Sequence, residues 1–309
     1  TVVVLESSFN GKDTLIADKI VQPNTSYTYT LNYVYHGEIL DETESVNVTT
    51  LDISRSDFRW NVYYFGGCDL SVLEGVSIIN KDNIWAVGEI AVPDPDSSYN
   101  GTGCRLYNAV QWNGDKWGVI EIHPPQEPAA PFFSAKNRIY SFSENLIWFV
   151  SGGLPIIYNG TDYYEFLPEV DGYPKGLGYI YGICGSSPSN MYFIGEDGHI
   201  VHYDGSTFET IYSGTNIDLR AIDGNEDIIF SVGYKTYGDN AEQSIVIEKS
   251  KDEWQPRFSS SLVDGNLKNS DYGRFKSVRV LDNVAVFSSA GVAILKYYYL
   301  DNLTDYILK

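Results

Sequence analysis

Residue types able to do chemistry occur in this chain, but not in working sets. There are 4 histidines in 309 residues. His199 and His202 stand three apart, a spacing that sends strand residues to opposite faces, so they cannot share a metal ion. His36 and His123 are isolated. Neither a metal site nor a bound cofactor is expected from these residues. Asp94, Asp96 and Asn100 offer oxygen ligands at even spacings, which calcium could use. Their loop lacks the terminal glutamate and glycine spacing of an EF-hand and reads as a solvated acidic loop. Carboxylate pairs are common, such as Glu42 with Glu44 and Glu196 with Asp197, as 41 acidic residues make inevitable. Glycoside hydrolysis needs two carboxyls about 5–10 Å apart across a cleft, a separation that sequence does not supply. No Gly-x-Ser-x-Gly elbow is present, and no cysteine sits near a histidine in a nucleophile motif. Cys68, Cys104 and Cys184 lie at none of the spacings zinc requires. No catalytic set emerges.

The elements that would carry a site are strands. Aromatic residues make up 15% of the chain, with 25 tyrosines against a single methionine, and hydrophobic residues 43%. Tyr, Val, Ile and Thr suit pleated, half-buried surfaces, so the composition is that of a folded β protein. The balance of 21 basic and 41 acidic residues leaves a net charge of −20. Such a surface repels phosphate backbones and anionic headgroups, so nucleic-acid and peripheral membrane roles are not expected. No apolar run approaches the roughly 18 residues that span a bilayer. The first residues, Thr1 to Glu6, lack the basic leader and cleavage site of a signal peptide, as a mature secreted chain would. Asn24, Asn47, Asn100, Asn159 and Asn302 stand in N-x-S/T sequons as candidate glycosylation positions.

From about residue 70 onward a short pattern recurs: a polar residue, an apolar run, then a small residue. Clear copies are Asn83-Ile84-Trp85-Ala86-Val87-Gly88, Leu146-Ile147-Trp148-Phe149-Val150-Ser151 and Asn190-Met191-Tyr192-Phe193-Ile194-Gly195. Weaker ones are Ile228-Ile229-Phe230-Ser231-Val232-Gly233 and Asn283-Val284-Ala285-Val286-Phe287-Ser288. Runs apolar on both faces suit strands sandwiched between neighbouring sheets. An interval of roughly 40–60 residues lies within or near the range of propeller blades.

A second motif follows the first: Trp112-Asn113-Gly114, Tyr158-Asn159-Gly160 and Tyr203-Asp204-Gly205. Asn-Gly and Asp-Gly predict type I′ hairpin turns between the third and fourth strands of each unit. With a short strand before each first motif, the unit has four strands, as a blade does. The blades are expected at about 71–124, 138–170, 179–214, 217–260 and 273–309. Either Phe58–Phe65 or the tail Leu303–Leu308 could supply the outer strand of the last blade. Trp85 and Trp148 are expected in the core between blades. Tyr181, Tyr192, Tyr203 and Tyr212 are expected mostly in strand packing, with a minority at the rim.

In such a sheet the start of strand one and the end of strand two share a rim. Cys68 and Cys104 are therefore expected to form a disulfide, with Cys184 a free buried thiol. The ring would span about 36 residues, which loop entropy makes worth roughly 3–4 kcal/mol. The alternative is three unpaired buried thiols.

Residues 1–51 differ. Val21-Gln22-Pro23-Asn24-Thr25-Ser26-Tyr27-Thr28-Tyr29-Thr30-Leu31-Asn32 resembles the fibronectin type III pattern of a Pro-Asn-Thr turn before a Tyr-x-Tyr strand. Ser45 to Thr50 resembles that fold's final strand, while its first strands and their tryptophan have no counterpart. The expected order is a partial fibronectin type III-like module at 1–51, a linker at 52–57 and a β-propeller at 58–309. The whole chain resembles secreted bacterial proteins that join such a module to a propeller of Asn-x-Trp-x-Val-Gly repeats. Similar sequences are sometimes labelled glucosyl transferases, but no nucleotide-sugar site or Gly-rich phosphate loop is found here.

The expected function is that of an extracellular or cell-surface binding or structural protein without enzymatic activity. Its partner would be a protein (another copy or a surface protein) or a glycan. The rival is a secreted glycan-active enzyme with a carboxylate pair at the channel mouth. A third expectation, a filament subunit or homo-oligomer, follows from the incomplete first module.

Overall fold

The computed structural model describes residues 21–36, 38–50, 60–68, 71–96, 103–125, 134–236, 242–250, 253–263, 266–268, 274–281, 284–289, 293–298 and 303–308. The chain divides into two compact units, Thr1–Tyr63 and Tyr64–Lys309.

In the first unit, β1 (Ser26–Tyr35) and β2 (Glu38–Thr49) form an antiparallel pair. Hydroxyl and amide side chains meet across one face: Ser26 with Thr49, Thr28 with Asn47, and Thr30 with Ser45. Such pairs support a strand surface left in water.

Among the described residues the second unit holds five antiparallel sheets. Blade one comprises β3 (Val72–Asn80), β4 (Asn83–Pro93), β5 (Cys104–Trp112) and β6 (Trp117–Ile120). Blade two comprises β7 (Arg138–Ser143), β8 (Leu146–Ser151), β9 (Leu154–Tyr158) and β10 (Tyr163–Glu165). Blade three comprises β11 (Ile180–Ser187), β12 (Asn190–Gly195), β13 (Ile200–Tyr203) and β14 (Phe208–Ile211). Blade four has β15 (Leu219–Gly224), β16 (Ile228–Thr236), β17 (Glu242–Ser250) and β18 (Glu253–Val263), with a short fifth strand, β19 (Asn266–Lys268). Blade five comprises β20 (Phe275–Leu281), β21 (Val284–Ser289), β22 (Ala293–Tyr298) and β23 (Leu303–Leu308). The first strands of successive blades lie side by side. Consecutive up-and-down sheets stacked face to face in this way are propeller blades.

The recurring motif is the second strand of each blade, and its alternation builds the core. Trp85 and Val87 point to blade two, where Ile139 and Phe149 receive them. Trp148 and Val150 meet Ile183, Met191 and Phe193 of blade three. Tyr192 and Ile194 meet Leu219, Ile222 and Ile229, and Phe230 and Val232 meet Phe275, Val278 and Phe287. The tryptophans are thus core, as expected. The small residue closing the motif has a steric cause. A Cβ on Gly88, Gly195 or Gly233 would run into the carbonyl oxygen of Val72, Tyr179 or Asp218, at or just before the start of the neighbouring first strand.

Two expectations are corrected. First, the fifth copy of the motif is displaced by one residue. Phe275 pairs with Ser289 as Leu73 pairs with Gly88, so Ser289 rather than Ser288 takes the glycine's place. A one-residue slip exchanges the two faces, and it is packing of Phe287 toward blade four that selects this register. Second, the Asn-Gly and Asp-Gly turns are not two-residue type I′ turns. The pairs Trp112–Trp117, Tyr158–Tyr163 and Tyr203–Phe208 leave four-residue loops. Only the glycines have positive φ there, at 91°, 95° and 98° for Gly114, Gly160 and Gly205. The Asn or Asp side chain instead accepts two following backbone N–H groups, as Asn159 does from Thr161 and Asp162. Of the two candidates for the outer strand of the last blade it is the tail that supplies it, with Leu303 opposite Tyr298. Residues 60–65 carry no strand.

Candidate functional site

The first strands of blades one, three, four and five begin with a bulge that turns one residue out of the ladder. Glu74 is the bulged residue in β3, Tyr181 in β11 and Arg220 in β15. Each lies beside the crowded glycine described above. The backbone that requires the glycine therefore also aims these side chains at one end of the blades, a common use of bulges.

There they form a continuous polar and aromatic chain. Arg138 of β7 lies 3.5 Å from the Glu74 carboxylate and donates from Nε to the Tyr181 carbonyl at 2.5 Å. The Tyr181 hydroxyl donates to Glu196 at 3.0 Å. The Arg220 guanidinium lies 4.1 Å above the Tyr181 ring and 5.3 Å from the Tyr234 ring, and pairs with Asp218 at 2.8 Å. Its Nε is buried and meets no hydrogen-bond partner among the described residues. Lys235 holds Asp197 at 2.7 Å, and the Asp197 N–H donates to Asp218. Burial pushes the Tyr181 phenol up, against the opposing pull of Arg220, so it stays a neutral donor. The ammonium of Lys235 holds the Asp197 carboxyl below its usual range.

Between blades one and two the chain borders a pocket of about 570 Å³, lined among others by Glu74, Glu89, Asn137, Ser151 and the Tyr179 ring. Tyr179 stacks on Tyr181 with centroids 6.3 Å apart. The arrangement offers paired charges, stacked rings and exposed hydroxyls, the surface chemistry of polar recognition.

Of the residues singled out from sequence, Tyr181, Glu196 and Asp197 belong to this rim, and the others sit elsewhere and apart. His199 bonds the Leu177 carbonyl, while His202 meets Asn190 Oδ1 and stacks on Tyr192. Asp94 accepts the N–H of Asp96 within its own loop, and Asn100 lies outside the described residues. Glu44 is exposed on β2, and the Glu42 side chain is not described. Glu196 does reach the rim, through Tyr181. Among the described residues no group of three or more His, Cys, Asp or Glu is placed to hold a metal ion. Asn24, Asn47 and Asn159 are exposed, and Asn302 lies outside the described residues. Tyr192 is buried, Tyr181 and Tyr203 are half-buried, and Tyr212 is exposed.

Cys68 and Cys104 are bridged with Cα atoms 6.6 Å apart, and Cys184 is a free, buried thiol. The Cys68 N–H donates to the Ala91 carbonyl, which brings the segment before β3 to the end of β4 as the bridge requires. Sequence reading missed Arg138, Arg220 and Glu74. For Glu74 and Arg220 the only signal is a place next to the residue opposite the motif's small position, invisible until the bulge is seen, and Arg138 is an ordinary ladder residue opposite Val150.

No family model matches the chain, and no curated protein matches it. Solved structures do. YCF48 bound to a D1 peptide is 12% identical at a TM-score of 0.45, covering 79% of this chain and 88% of that one. BBS1N in complex with ARL6DN is 13% identical at 0.43, covering 80% and 67%. The WD40 repeats of RRP9 are 12% identical at 0.42, covering 79% and 81%. Among the described residues no helix is long and apolar enough to cross a membrane.

Proposed function

We propose that this chain is an extracellular binding protein without enzymatic activity, presenting the bulged rim of its blades to a protein partner. The observation that carries this reading is the chain from Glu74 through Arg138, Tyr181 and Arg220 to Tyr234. Tyrosine and arginine supply large contact area, hydrogen bonds and stacking at small entropic cost. Support for export comes from the Cys68–Cys104 bridge, since such bonds persist in oxidising compartments. Within the same proposal, β1 and β2 are half of a fibronectin type III-like module, as in the secreted bacterial proteins the sequence resembles.

The test is a random peptide library displayed against the intact protein. Peptides it enriches are expected to bind Arg220→Ala at least about tenfold more weakly, as loss of an arginine anchor produces. Equal binding to both proteins, or no enrichment, overturns the reading.

A second reading has one observation in its favour: Glu74 and Glu89 line the same pocket. Two carboxylates in one pocket are what a glycan-active enzyme needs. Turnover of chromogenic glycosides that disappears in Glu89→Gln would establish it, and the binding reading predicts none.

A further inference from the structure

In two blades the bulged residue of the first strand is satisfied by the residue that follows the motif glycine. In blade three these are Tyr181 and Glu196, joined by a hydrogen bond of 3.0 Å. In blade four they are Arg220 and Tyr234, with the guanidinium 5.3 Å from the ring centroid. The same two positions in blade one hold Glu74 and Glu89. Two carboxylates cannot satisfy each other, and like charges brought into one site repel. The fold nevertheless brings both to the pocket between blades one and two. Glu74 has only a long contact of 3.5 Å with Arg138, whose Nε and Nη1 already donate to the carbonyls of Tyr181 and Asn137. The half-buried Glu89 meets no hydrogen-bond or ion-pair partner for its carboxylate among the described residues.

At about 570 Å³ the pocket has the size of a site for a small ligand or one long side chain. Among the described residues no lysine, arginine or histidine lines it. Its remaining wall is the Tyr179 ring, which is 56% exposed and stacks on Tyr181. The rim shows how this molecule holds a guanidinium: Arg220 sits between the Asp218 carboxylate at 2.8 Å and the Tyr181 ring at 4.1 Å. Glu89 and Tyr179 repeat the carboxylate and the ring without the cation. A divalent metal does not suit the set, since calcium and magnesium take about six or more oxygen ligands and an aromatic wall supplies none. An organic cation does. A guanidinium fits better than an ammonium, because its planar fork grips a carboxylate with two bonds and stacks on a ring.

We propose that this pocket receives an arginine side chain of the protein partner, with Glu89 as its main anion, Glu74 sharing the charge and Tyr179 as the stacking wall. The inference rests on the rim reading for the partner, and adds the side chain by which that partner is recognised. The net charge of −20 acts in the same direction, drawing a basic segment toward the pocket.

Random peptides displayed against the intact protein supply the probe. Those enriched are expected to carry arginine. Exchanging that arginine for citrulline, which keeps the shape and removes the charge, is expected to weaken binding at least about tenfold. Glu89→Gln, with an unchanged near-UV spectrum, is expected to weaken the arginine peptides by a like factor and to leave the citrulline forms unaffected, so that the two losses do not add. Peptides that depend on Arg220 yet lack arginine overturn the inference and leave the rim reading standing. So do peptides whose citrulline loss is the same in the parent and in Glu89→Gln. Peptides coupled to Glu89 but indifferent to Arg220→Ala support the pocket and overturn the rim reading, whereas a library that yields no binder overturns both. Calcium chloride at about 1 mM, the level to which extracellular sites are tuned, is expected to leave peptide binding unchanged. Calcium inhibition that vanishes in Glu89→Gln would make the pocket a metal site and overturn the inference, as would turnover of a chromogenic glycoside that requires Glu89.

Discussion

Asp204 shows how much one acid can contribute to a turn. Its carboxylate accepts the N–H and hydroxyl groups of both Ser206 and Thr207. The Thr207 and Ser206 N–H bonds lead in holding this carboxyl below the usual range. The folded value is lower than the unfolded one, near about 3.9. The stabilisation is therefore complete above that pH and is lost as pH falls through it toward the folded value. Asparagine at this place keeps a neutral acceptor, as Asn113 and Asn159 do in sister turns. Melting temperatures of the parent and Asp204→Asn should run parallel from neutral pH to about 4 and then converge or cross, as the parent alone loses its charged acceptor. Parallel curves down to pH 2 or so would contradict the assignment. At the same scale, the cysteines make a countable prediction. One thiol should react under denaturing, non-reducing conditions and none in the folded protein, since burial pushes the Cys184 thiol up and hides it. Reducing the 36-residue ring should cost roughly 3–4 kcal/mol in a denaturant titration. Three reactive thiols would exclude the bridge.

The blade is the unit at which elements cooperate. Its bulge, its small residue and its core aromatic are one device: the bulge brings a carbonyl close, and the small residue leaves room for it. The alternation of the second strand then sends its side chains into two joints. Gly233→Val should therefore destabilise the protein by about 2 kcal/mol or more, since its branched carbons meet the Asp218 carbonyl rather than open space. Gly118→Ala provides the contrast, because nothing lies within 4 Å of its added carbon. It should be within about 0.5 kcal/mol of the parent. Equal losses at both positions, measured by urea unfolding, would show that the close approach is not the cause. Ser151 and Ser289 mark where this rule relaxes, and both stand in blades whose second strand still buries its apolar side chains.

For the whole molecule the net charge of −20 outweighs the local basic groups at the rim. Arg138, Arg220 and Lys235 are each paired with a carboxylate, so they present no unpaired basic track to a phosphate backbone. Titration with duplex DNA, RNA or anionic vesicles at physiological salt should give no saturable binding. A saturable isotherm with a normal salt slope would count against this view of the surface.

Sequence alone determined the blade and its repeat, because both are written in short-range patterns. A second strand sandwiched between sheets must be apolar on both faces, and Asn159-Gly160 must turn the chain wherever it lies. Blade positions, the core tryptophans and the Cys68–Cys104 partnership followed from that periodicity and from the rims that up-and-down strands share. Turn type and the register of the fifth copy did not, since an Asx side chain and a four-residue loop look like a shorter turn when only residue types are read. The rim was invisible as well. Glu74, Tyr181 and Arg220 lie more than a hundred residues apart end to end and share no motif. They converge because each is squeezed out of its own ladder at the same point of its own blade. Which apolar faces remain open was likewise a tertiary decision. Val76 and Ile139 are the same residue by pattern, and only the presence or absence of a neighbouring sheet makes one surface and the other core.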